Sequence, residues 1–271
     1  MHGAHLTVNL YKIRYRCLTD SNRKPKGLRI DLDGTVLPRD NKPTEAVLNA
    51  IRAASKIIPV SIASGRVQDD VSHFARMFAM HTPQVADNGA TLVDPITGRM
   101  IKRYTMGRVE AEETLHILKS SSVRLIICDD GRFLLNADDV TAWEITMIAA
   151  QFTTEEEARK WAGLLNGDSV TAKVSLDNRG EWYIDCTKAG VDKGTGVEKI
   201  AHEMGIKLAD LMVIGDGWND VPMFEVAGIS MAMDGAPSEL LDIATGVVPD
   251  IDNNGAVNAI EQYFYRVRCS C

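Results

Sequence analysis

The chain has 271 residues and a formal net charge of −7, and 45% of its residues are hydrophobic. A chain of this length can bury a sizeable core, and we expect either one domain with a large insertion or two domains. The acidic balance gives no general attraction for nucleic acid or membranes, so any anion site has to be built locally. We therefore expect neither nucleic acid nor membrane as a partner.

The two ends of the chain and its cysteines indicate a cytoplasmic protein. Apolar runs are too short for a membrane span, and the basic residues 1–26 lack the apolar segment of a secretory signal. We predict a disordered extension over 1–26 and a short tail over 266–271. The odd cysteine count, without a CxxC pair, favours reduced thiols over a disulfide framework. These cysteines are Cys17, Cys128, Cys186, Cys269 and Cys271.

Buried strands alternate with amphipathic helices on both sides of the middle of the chain. The predicted elements are a strand over 28–32, a helix over 44–56 capped by Thr44, a strand over 58–66, a helix over 68–80, a helix over 194–206, a strand over 210–217 and a helix over 220–228. This order is typical of a parallel sheet with crossover helices. Such sheets bind ligands beyond the carboxyl ends of their strands.

Residues 104–188 have a different pattern, which predicts an α+β unit inserted into the α/β fold. Two helical stretches, "RVEAEETLHILKSS" and "TEEEARKWAGLLN", are accompanied by turns at residues 129–131 and 178–180. The alternating segments "VTAKVSLD" and "EWYID" flank the second turn, which indicates a hairpin with one wet face and hence an antiparallel sheet.

Carboxylates follow the first and last predicted strands of the parallel sheet. In "LRIDLDGTVL", Asp31 and Asp33 lie two residues apart on extended chain, where each raises the other's pKa unless a cation is present. Asp216 and Asp220 would join them if the two strands are neighbours. A carboxylate cluster of this kind fits a hard cation such as Mg²⁺.

Phosphate is the ligand that the remaining polar residues favour. Ser64 and the backbone amides of Gly65 and Arg66 lie where a strand gives way to a helix, and helix N-termini bind anions. Lys193 adds a compact positive charge. The set predicts phosphoryl transfer, in which Asp31 attacks phosphorus and Asp33 protonates the leaving alkoxide and then activates water.

Four motifs resemble those of the haloacid dehalogenase (HAD) superfamily of phosphatases. They are "DLDGTV", "SIASGR", "AGVDKGTG" and "GDGWNDVPMF", in the order that the family has them. The stretches "VADNGATL" and "GVDKGTGVEKIAHEMGI" look like the Cof-type branch with a C2-type cap, and archaeal phosphoglycolate phosphatases are the most similar in appearance. Three features depart from the pattern: Arg29 inside the first strand, "MDGAP" at 233–237, and the first 26 residues.

The resemblance implies a three-layer α/β Rossmannoid core with a parallel sheet, formed by 27–103 and 189–265, and a cap domain over 104–188. It also implies roles for individual residues. Asp31 would be the nucleophile and a Mg²⁺ ligand, and Asp33 the acid and base whose backbone carbonyl ligates the metal. The other implied roles are metal binding by Asp216, metal binding or anchoring by Asp220, phosphoryl binding by Ser64, Lys193 and Asn219, and a place near the cap mouth for Asn88.

The predicted function is Mg²⁺-dependent hydrolysis of small phosphate monoesters, either phosphoglycolate or sugar phosphates, through an aspartyl-phosphate. A phosphomutase with the same chemistry and a non-catalytic phosphate-binding regulator remain as alternatives. The expected partner is a small phosphorylated metabolite, and the protein could be a monomer or a homodimer. Trp218, in the loop between Asp216 and Asn219, is expected to touch the cap or a neighbouring loop.

Overall fold

A computed structural model describes residues 24–121 and 123–264 of the chain. The predicted extension, except for its residues 24–26, and the predicted tail over 266–271 lie outside the described residues. So do Cys17, Cys269 and Cys271. Cys128 and Cys186 are buried free thiols, in agreement with the prediction of reduced cysteines.

The described residues alternate strands and helices along most of their length. The strands are β1 (Gly27–Ile30), β2 (Val60–Ile62), β3 (Gln84–Ala86), β4 (Thr91–Val93), β5 (Met100–Arg103), β6 (Leu125–Asp129), β7 (Arg132–Leu134), β8 (Ile145–Phe152), β9 (Val170–Leu176), β10 (Trp182–Lys188), β11 (Leu211–Gly215), β12 (Ile229–Met233) and β13 (Gly246–Val248). The helices are α1 (Glu45–Ser55), α2 (Gln68–Met77), α3 (Arg108–Lys119), α4 (Glu155–Leu165), α5 (Lys193–Glu203), α6 (Val221–Val226), α7 (Ser238–Ile243) and α8 (Gly255–Phe264).

A five-stranded parallel sheet in the order β13-β12-β11-β1-β2 forms the centre of the fold. β1 and β11 are direct neighbours, with Ile30 opposite Ile214, so the chain leaves both strands at the same edge. Apolar residues cover both faces of the sheet, and α1 and α8 contribute to one cluster while α5 and α6 contribute to the other. The predicted α/β fold with a parallel sheet is confirmed.

The predicted helices of this layer are present, with ends that differ from the predicted bounds by up to three residues. The Thr44 hydroxyl accepts a hydrogen bond from the Val47 N–H at 3.2 Å and caps α1. Asp192 caps α5, because its carboxylate accepts from the Thr195 N–H at 2.9 Å while the Thr195 hydroxyl accepts from the Asp192 N–H. Lys193 thereby becomes the first residue of α5 and lies beside the carboxyl edge of the sheet.

A second, antiparallel sheet has the order β7-β6-β8-β10-β9, and we call it the cap sheet. It lies within the residues 104–188 that the sequence predicts as an insertion. α3 and α4 cover one face, where Ile184 and Cys186 of β10 are fully buried. Because side chains alternate along a strand, Tyr183 and Asp185 of the same strand point to the opposite face, toward the parallel sheet.

Two parts of the fold lack the sequence signals that predict strands. A three-stranded antiparallel sheet, β3-β4-β5, occupies residues that the pattern leaves unassigned, because its strands have only three or four residues. β8, the central strand of the cap sheet, reads "ITMIAAQF" and is buried on both faces, so it shows no alternation. Among residues 24–121 and 123–264, no helix has the length and apolar character that crossing a bilayer requires.

Candidate active site

The carboxyl ends of β1 and β11 bring Asp31 and Asp216 together. The Asp31 N–H donates to the Ile214 carbonyl at 3.0 Å, which continues the pairing of the two strands beyond β1. The chain then turns at Gly34, whose φ of 75° favours glycine, and a Cβ there would lie 2.0 Å from Asp216 Oδ2. The glycine of the first motif is therefore required by the close approach of the two loops.

Asp31, Asp216 and Asp220 form a carboxylate cluster in which ligand oxygens lie within 4.8 Å of one another. Burial and, next, the charge of Asp220 raise the pKa of Asp31 to about 7, against the opposing effect of Lys193. Burial and the charge of Asp31 likewise hold the pKa of Asp216 well above its ordinary value. Neighbouring carboxylates ionise more readily when a cation lies between them, and their oxygens are the ligands that a hard divalent cation such as Mg²⁺ prefers.

Lys193 bridges two members of this cluster. Its Nζ lies 2.7 Å from Asp31 Oδ1 and 2.6 Å from Asp220 Oδ1, and the side chain is fully buried. Burial acts to lower the pKa of Lys193, but Asp220 and Asp31 together raise it above its ordinary value. The ammonium group is therefore charged, and it holds one oxygen of Asp31 in place.

Asp220 also fastens the loop after β11. Its Oδ2 accepts from the backbone N–H groups of Asp216 and Gly217, both at 2.9 Å. Both Asp220 oxygens therefore have partners, whereas among the described residues the Asp216 side chain accepts a hydrogen bond only at Oδ1, from the Thr35 hydroxyl at 2.5 Å. Asp216 is the better placed of the two for direct contact with a cation.

The Asp33 carboxylate points away from the cluster and toward Arg66. Arg66 donates from Nε to Asp33 Oδ2 at 2.8 Å and from Nη2 to Asp33 Oδ1 at 2.6 Å, a bidentate pair. The same Nη2 also donates to Asn41 Oδ1 at 2.6 Å. Sequence reasoning assigned Arg66 through its backbone amide and missed this side-chain contact.

The second motif forms the floor of the site. Ser64 is fully buried behind the carboxylate loops, and its N–H donates to the Val85 carbonyl at 3.1 Å. The Arg66 N–H donates to Ser64 Oγ at 3.2 Å, so this amide is already engaged within the loop. Gly65 lines the cavity together with Ser64.

Asn88 and Asn219 meet at the contact between the two sheets. Asn88 has a left-handed backbone with φ 48°, its N–H donates to the Ser64 carbonyl at 3.0 Å, and its side-chain oxygen accepts from Asn219 Nδ2 at 3.3 Å. Its own Nδ2 donates to Asp185 Oδ2 of the cap sheet at 2.7 Å. Asn88 thus lies beside the cap, where the resemblance places it.

Asp185 is a site residue that sequence reasoning missed. Its Oδ2 also accepts from the Ser175 hydroxyl at 2.6 Å. Burial raises the pKa of Asp185, while the hydrogen bonds from Ser175 and Asn88 act in the opposite direction. The available signal was an acidic residue in the middle of "EWYIDC", on the face of the hairpin that alternation makes polar.

A cavity of about 420 Å³ lies between the parallel sheet and the cap sheet. Its floor consists of Asp31, Asp33, Ser64, Gly65, Arg66, Asp216, Gly217 and Asn219. Its cap side includes Ile126, Phe133, Met147, Tyr183 and Asp185. The carboxylate cluster therefore opens into a chamber that can hold a small molecule.

The model of the haloacid dehalogenase-like hydrolase family matches residues 28–160 and 142–260. The chain belongs to this family. The predicted superfamily, fold class and enzyme class, a phosphoric monoester hydrolase of the HAD type, are thus confirmed.

Several relatives and solved structures are similar to this chain over most of their length. A 5-amino-6-(5-phospho-D-ribitylamino)uracil phosphatase of Bacillus subtilis is 27% identical, with 88% of this chain and 97% of the relative covered. The phosphoglycolate phosphatase of Archaeoglobus fulgidus is also 27% identical, over 88% of this chain and 96% of its own. Among solved structures, a HAD-like hydrolase from B. subtilis has a TM-score of 0.75 at 21% identity, covering 87% of this chain and 99% of its own. A subclass IIB sugar phosphatase has a TM-score of 0.71 at 21% identity, covering 88% and 98%.

Proposed function

We propose that the protein hydrolyses small phosphate monoesters with Mg²⁺ through an aspartyl-phosphate on Asp31. The observation that carries the proposal is the convergence of Asp31, Asp216, Asp220 and Lys193 beside a cavity at the carboxyl edge of the sheet. Membership of the HAD-like hydrolases supports the same chemistry.

The carboxylate cluster would hold the metal through Asp31 and Asp216, with Asp220 as a further ligand or as the anchor of the loop, and the family resemblance adds the backbone carbonyl of Asp33. Mg²⁺ bound there supplies positive charge that offsets the charge of the phosphoryl group and of the carboxylates. Lys193 orients Asp31 through Oδ1, which leaves Oδ2 to attack phosphorus. Ser64 and Asn219 lie on the cavity floor, where they can donate hydrogen bonds to phosphoryl oxygens.

Asp33 would act first as the general acid and then as the general base. It would protonate the leaving oxygen when the phosphorus–oxygen bond breaks, and then take a proton from the water that hydrolyses the aspartyl-phosphate. Both of its oxygens accept from Arg66 in this structure. Each carboxylate oxygen has two lone pairs, so one lone pair on each Asp33 oxygen is left to exchange a proton while Arg66 holds the orientation of the carboxylate.

The relatives suggest the range of substrates. Their names point to phosphoglycolate and to a phosphorylated ribitylamino-uracil, and a structural neighbour is called a sugar phosphatase. We propose a small phosphorylated metabolite within this range as the substrate, with neither nucleic acid nor membrane as a partner.

The decisive experiment measures phosphate release from a panel of phosphate monoesters in Mg²⁺ and in EDTA. We expect turnover in Mg²⁺ that EDTA abolishes and that Asp31→Asn lowers by at least about a thousandfold, because the nucleophile is gone. Asp242→Asn, which removes an exposed carboxylate of α7, is the matched control and should retain activity. Absence of turnover on every ester with metal bound would contradict the proposal and favour a phosphomutase or a non-catalytic binding protein.

A further inference from the structure

The cap sheet presents one carboxylate to the cavity, and the fold fixes its position. Asp185 faces the cavity because β10 alternates, with Ile184 and Cys186 directed at α3 and α4 on the other face. It pairs with Ala149 on one side and with Lys173 on the other, in the interior of a five-stranded sheet. A side chain on a central strand is held more rigidly than one on a loop.

The two oxygens of Asp185 have different surroundings. Oδ2 accepts from Asn88 Nδ2 at 2.7 Å and from the Ser175 hydroxyl at 2.6 Å, which fixes the rotation of the carboxylate. Oδ1 has neither of these partners, and Asp185 lines the cavity. Oδ1 is therefore an oriented acceptor that a ligand in the cavity can reach.

Asn88 links Asp185 by hydrogen bonds to the loop that follows β11, beside the carboxylate cluster. Its side-chain oxygen accepts from Asn219 at 3.3 Å, and Asn219 belongs to the loop that carries Asp216 and Asp220. Asp185 lines the cavity from the cap sheet and the carboxylate cluster lines it from the parallel sheet, so a substrate with its phosphoryl group on the cluster would extend its leaving group toward the side that carries Asp185.

The charges around the cavity favour a leaving group without a carboxylate. Among the described residues that line it, Arg66 and Arg179 are the cations. Arg66 is paired with Asp33, and Arg179 is exposed in the turn between β9 and β10. A carboxylate on the leaving group would meet the negative charge of Asp185, whereas a hydroxyl group would donate to it.

The size and remaining surface of the cavity agree with a leaving group of several carbons. Its volume is about 420 Å³, and ligand pockets for organic molecules begin near 300 Å³. Ile126, Met147 and Tyr183 place apolar surface beside Asp185 on the cap side. This combination of apolar surface with one fixed acceptor suits the carbon face and hydroxyl edge of a polyol or sugar.

We propose that Asp185 is a specificity-determining residue, which selects phosphate monoesters with hydroxyl-bearing leaving groups, polyol or sugar phosphates, over esters of hydroxy acids such as phosphoglycolate. This inference rests on the proposed phosphatase function. It narrows the range of substrates that the names of the relatives suggest, because it identifies Asp185 as the hydrogen-bond acceptor for the leaving group.

The test compares glycerol phosphate with phosphoglycerate, whose three-carbon leaving groups differ by a hydroxymethyl group in place of a carboxylate. Steady-state kcat/KM is measured in Mg²⁺ for both esters, with p-nitrophenyl phosphate as a third substrate that carries neither group. We expect the wild-type protein to prefer glycerol phosphate by at least about tenfold, the effect of one charge-assisted hydrogen bond. Asp185→Asn replaces the free acceptor by a donor of the same shape, and it should reduce this preference by about tenfold.

Two further variants make the result specific. Asp168→Asn removes an exposed carboxylate of the cap between α4 and β9, and it should leave the preference unchanged. Ser175→Ala keeps the Asp185 carboxylate but removes one of the two hydrogen bonds to Oδ2, so the preference should fall part of the way. Ser175→Ala also provides a test if Asp185→Asn lowers the melting temperature too far for assay.

The outcomes separate this inference from the proposed function. Hydrolysis of p-nitrophenyl phosphate without a preference for glycerol phosphate, or with a preference that Asp185→Asn leaves intact, would overturn the role of Asp185 and leave the phosphatase function standing. Failure to hydrolyse any of the three esters in Mg²⁺ would overturn both. A preference that disappears in Asp185→Asn and persists in Asp168→Asn would support the assignment.

Discussion

Asp33 accepts two hydrogen bonds from Arg66, while Asp31, two residues earlier, accepts one from Lys193. The two carboxylates of one motif are thus separated by their partners. A buried ammonium group holds Asp31 against the cluster, and a guanidinium group holds Asp33 at the side of the cavity. The sequence places the Asp31 and Asp33 carboxylates close enough to repel each other. That repulsion is reduced because the two side chains are directed to different cations.

This separation predicts different consequences for the two halves of the reaction in Asp33→Asn. p-Nitrophenolate leaves without a proton, so attack by Asp31 should still occur, but water would no longer be activated. We expect a burst of about one equivalent of p-nitrophenol, followed by turnover lowered by about 10² to 10⁴. An alkyl phosphate should give no burst, because its leaving group needs the proton.

Rapid-quench measurement of both esters checks this prediction. Asp69→Asn, which changes an exposed carboxylate in the first turn of α2, is the control and should show wild-type kinetics. Equal losses on the two esters without a burst would show that Asp33 acts before phosphorus–oxygen cleavage for both leaving groups.

The carboxylate cluster also predicts how stability depends on pH. The pKa of Asp31 is raised from 3.8 to about 7 by burial and by Asp220, and that of Asp216 is raised as well. Between these values the folded chain binds more protons than the unfolded chain, so the free energy of unfolding of the metal-free protein should fall as pH rises from about 4 to 7. Mg²⁺ binds the ionised form and should reverse the loss mainly at the upper end of this range.

Thermal unfolding in EDTA and in Mg²⁺ at pH 5 and pH 7.5 checks this dependence. We expect the melting temperature in EDTA to be lower at pH 7.5 by about 5 °C or more, with a larger increase on adding Mg²⁺ at pH 7.5. Asp216→Asn removes one of the competing charges and should flatten both effects. A melting temperature in EDTA that rises across this range would contradict the assignment of raised pKa values to the cluster.

Arg29 poses a problem at the scale of the element, because it is fully buried in β1 of the central sheet. Its Nη1 donates to the Leu28 carbonyl at 3.0 Å, Nη2 lies 3.9 Å from Met204 Sδ, and Nε has no partner among the described residues. Burial lowers its pKa to about 10, so the guanidinium group stays charged at neutral pH without a carboxylate among its hydrogen-bond partners. Burying a charge in this way destabilises the fold.

Replacing Arg29 by an apolar residue of similar length should therefore stabilise the protein. We expect Arg29→Met to raise the free energy of unfolding by about 2 kcal/mol, since replacing buried charges with hydrophobic residues often gains 1–4 kcal/mol. Urea unfolding measures the change. Arg29→Lys keeps the charge but shortens the reach to the Leu28 carbonyl, so it should be less stable than the wild type; an equally destabilised Arg29→Met would show that the guanidinium group is well satisfied.

The elements that the sequence predicts best are those with a strong local signal. The Thr44 cap and the amphipathic pattern of α1 locate that helix to within a residue at each end. Strand–helix alternation predicts a parallel sheet but leaves the strand order open, and the structure shows that β1 and β11 are neighbours, which brings together Asp31 and Asp216. The motifs therefore contain the residues that form the carboxylate cluster, Asp31, Asp216 and Asp220.

Long-range contacts explain what the sequence could not predict. Asp185 and Asn88 are 97 residues apart in the chain, and their hydrogen bond depends on how the cap sheet lies over the core. The contact of Arg66 with Asp33 is also long-range. The sequence around Arg66 does not show whether its guanidinium group is directed at Asp33 or into solvent. The strand β8 is buried on both faces, so it lacks the alternation that would reveal it.

At the scale of the whole molecule, the cap contacts the core on two sides of the cavity. On one side, the ring of Trp218 lies 5.0 Å from that of Trp182 of β10, and the Arg159 guanidinium lies 5.1 Å from the Trp218 ring. Arg159 also donates to Glu239 of α7 at 3.1 Å. The expected contact of Trp218 with the cap is confirmed, and it joins the cap to the loop that carries Asp216.

On the other side, the tip of the β9–β10 hairpin is fixed by Asn178. Its Nδ2 donates to the Pro38 carbonyl at 2.8 Å and to Asn41 Oδ1 at 2.9 Å, and Asn41 Oδ1 also accepts from Arg66. A chain of hydrogen bonds thus connects the position of the cap to the residue that holds Asp33. Attack on phosphorus needs the cavity closed to water, so this contact should favour the closed arrangement.

Asn178→Ala should therefore weaken closure without touching the carboxylate cluster. Hydrogen bonds of this kind are worth about 1 kcal/mol each, so losing two should lower the population of the closed arrangement, and with it kcat/KM, by about tenfold or more. Hydrogen–deuterium exchange should show faster uptake at residues 38–42 and 176–181. Asn258→Ala removes an exposed hydrogen bond with Gln262 on α8, far from the cap, and should change neither quantity. If Asn178→Ala lost activity while uptake at both segments stayed at the wild-type rate, Asn178 would act on the substrate itself and not through the position of the cap.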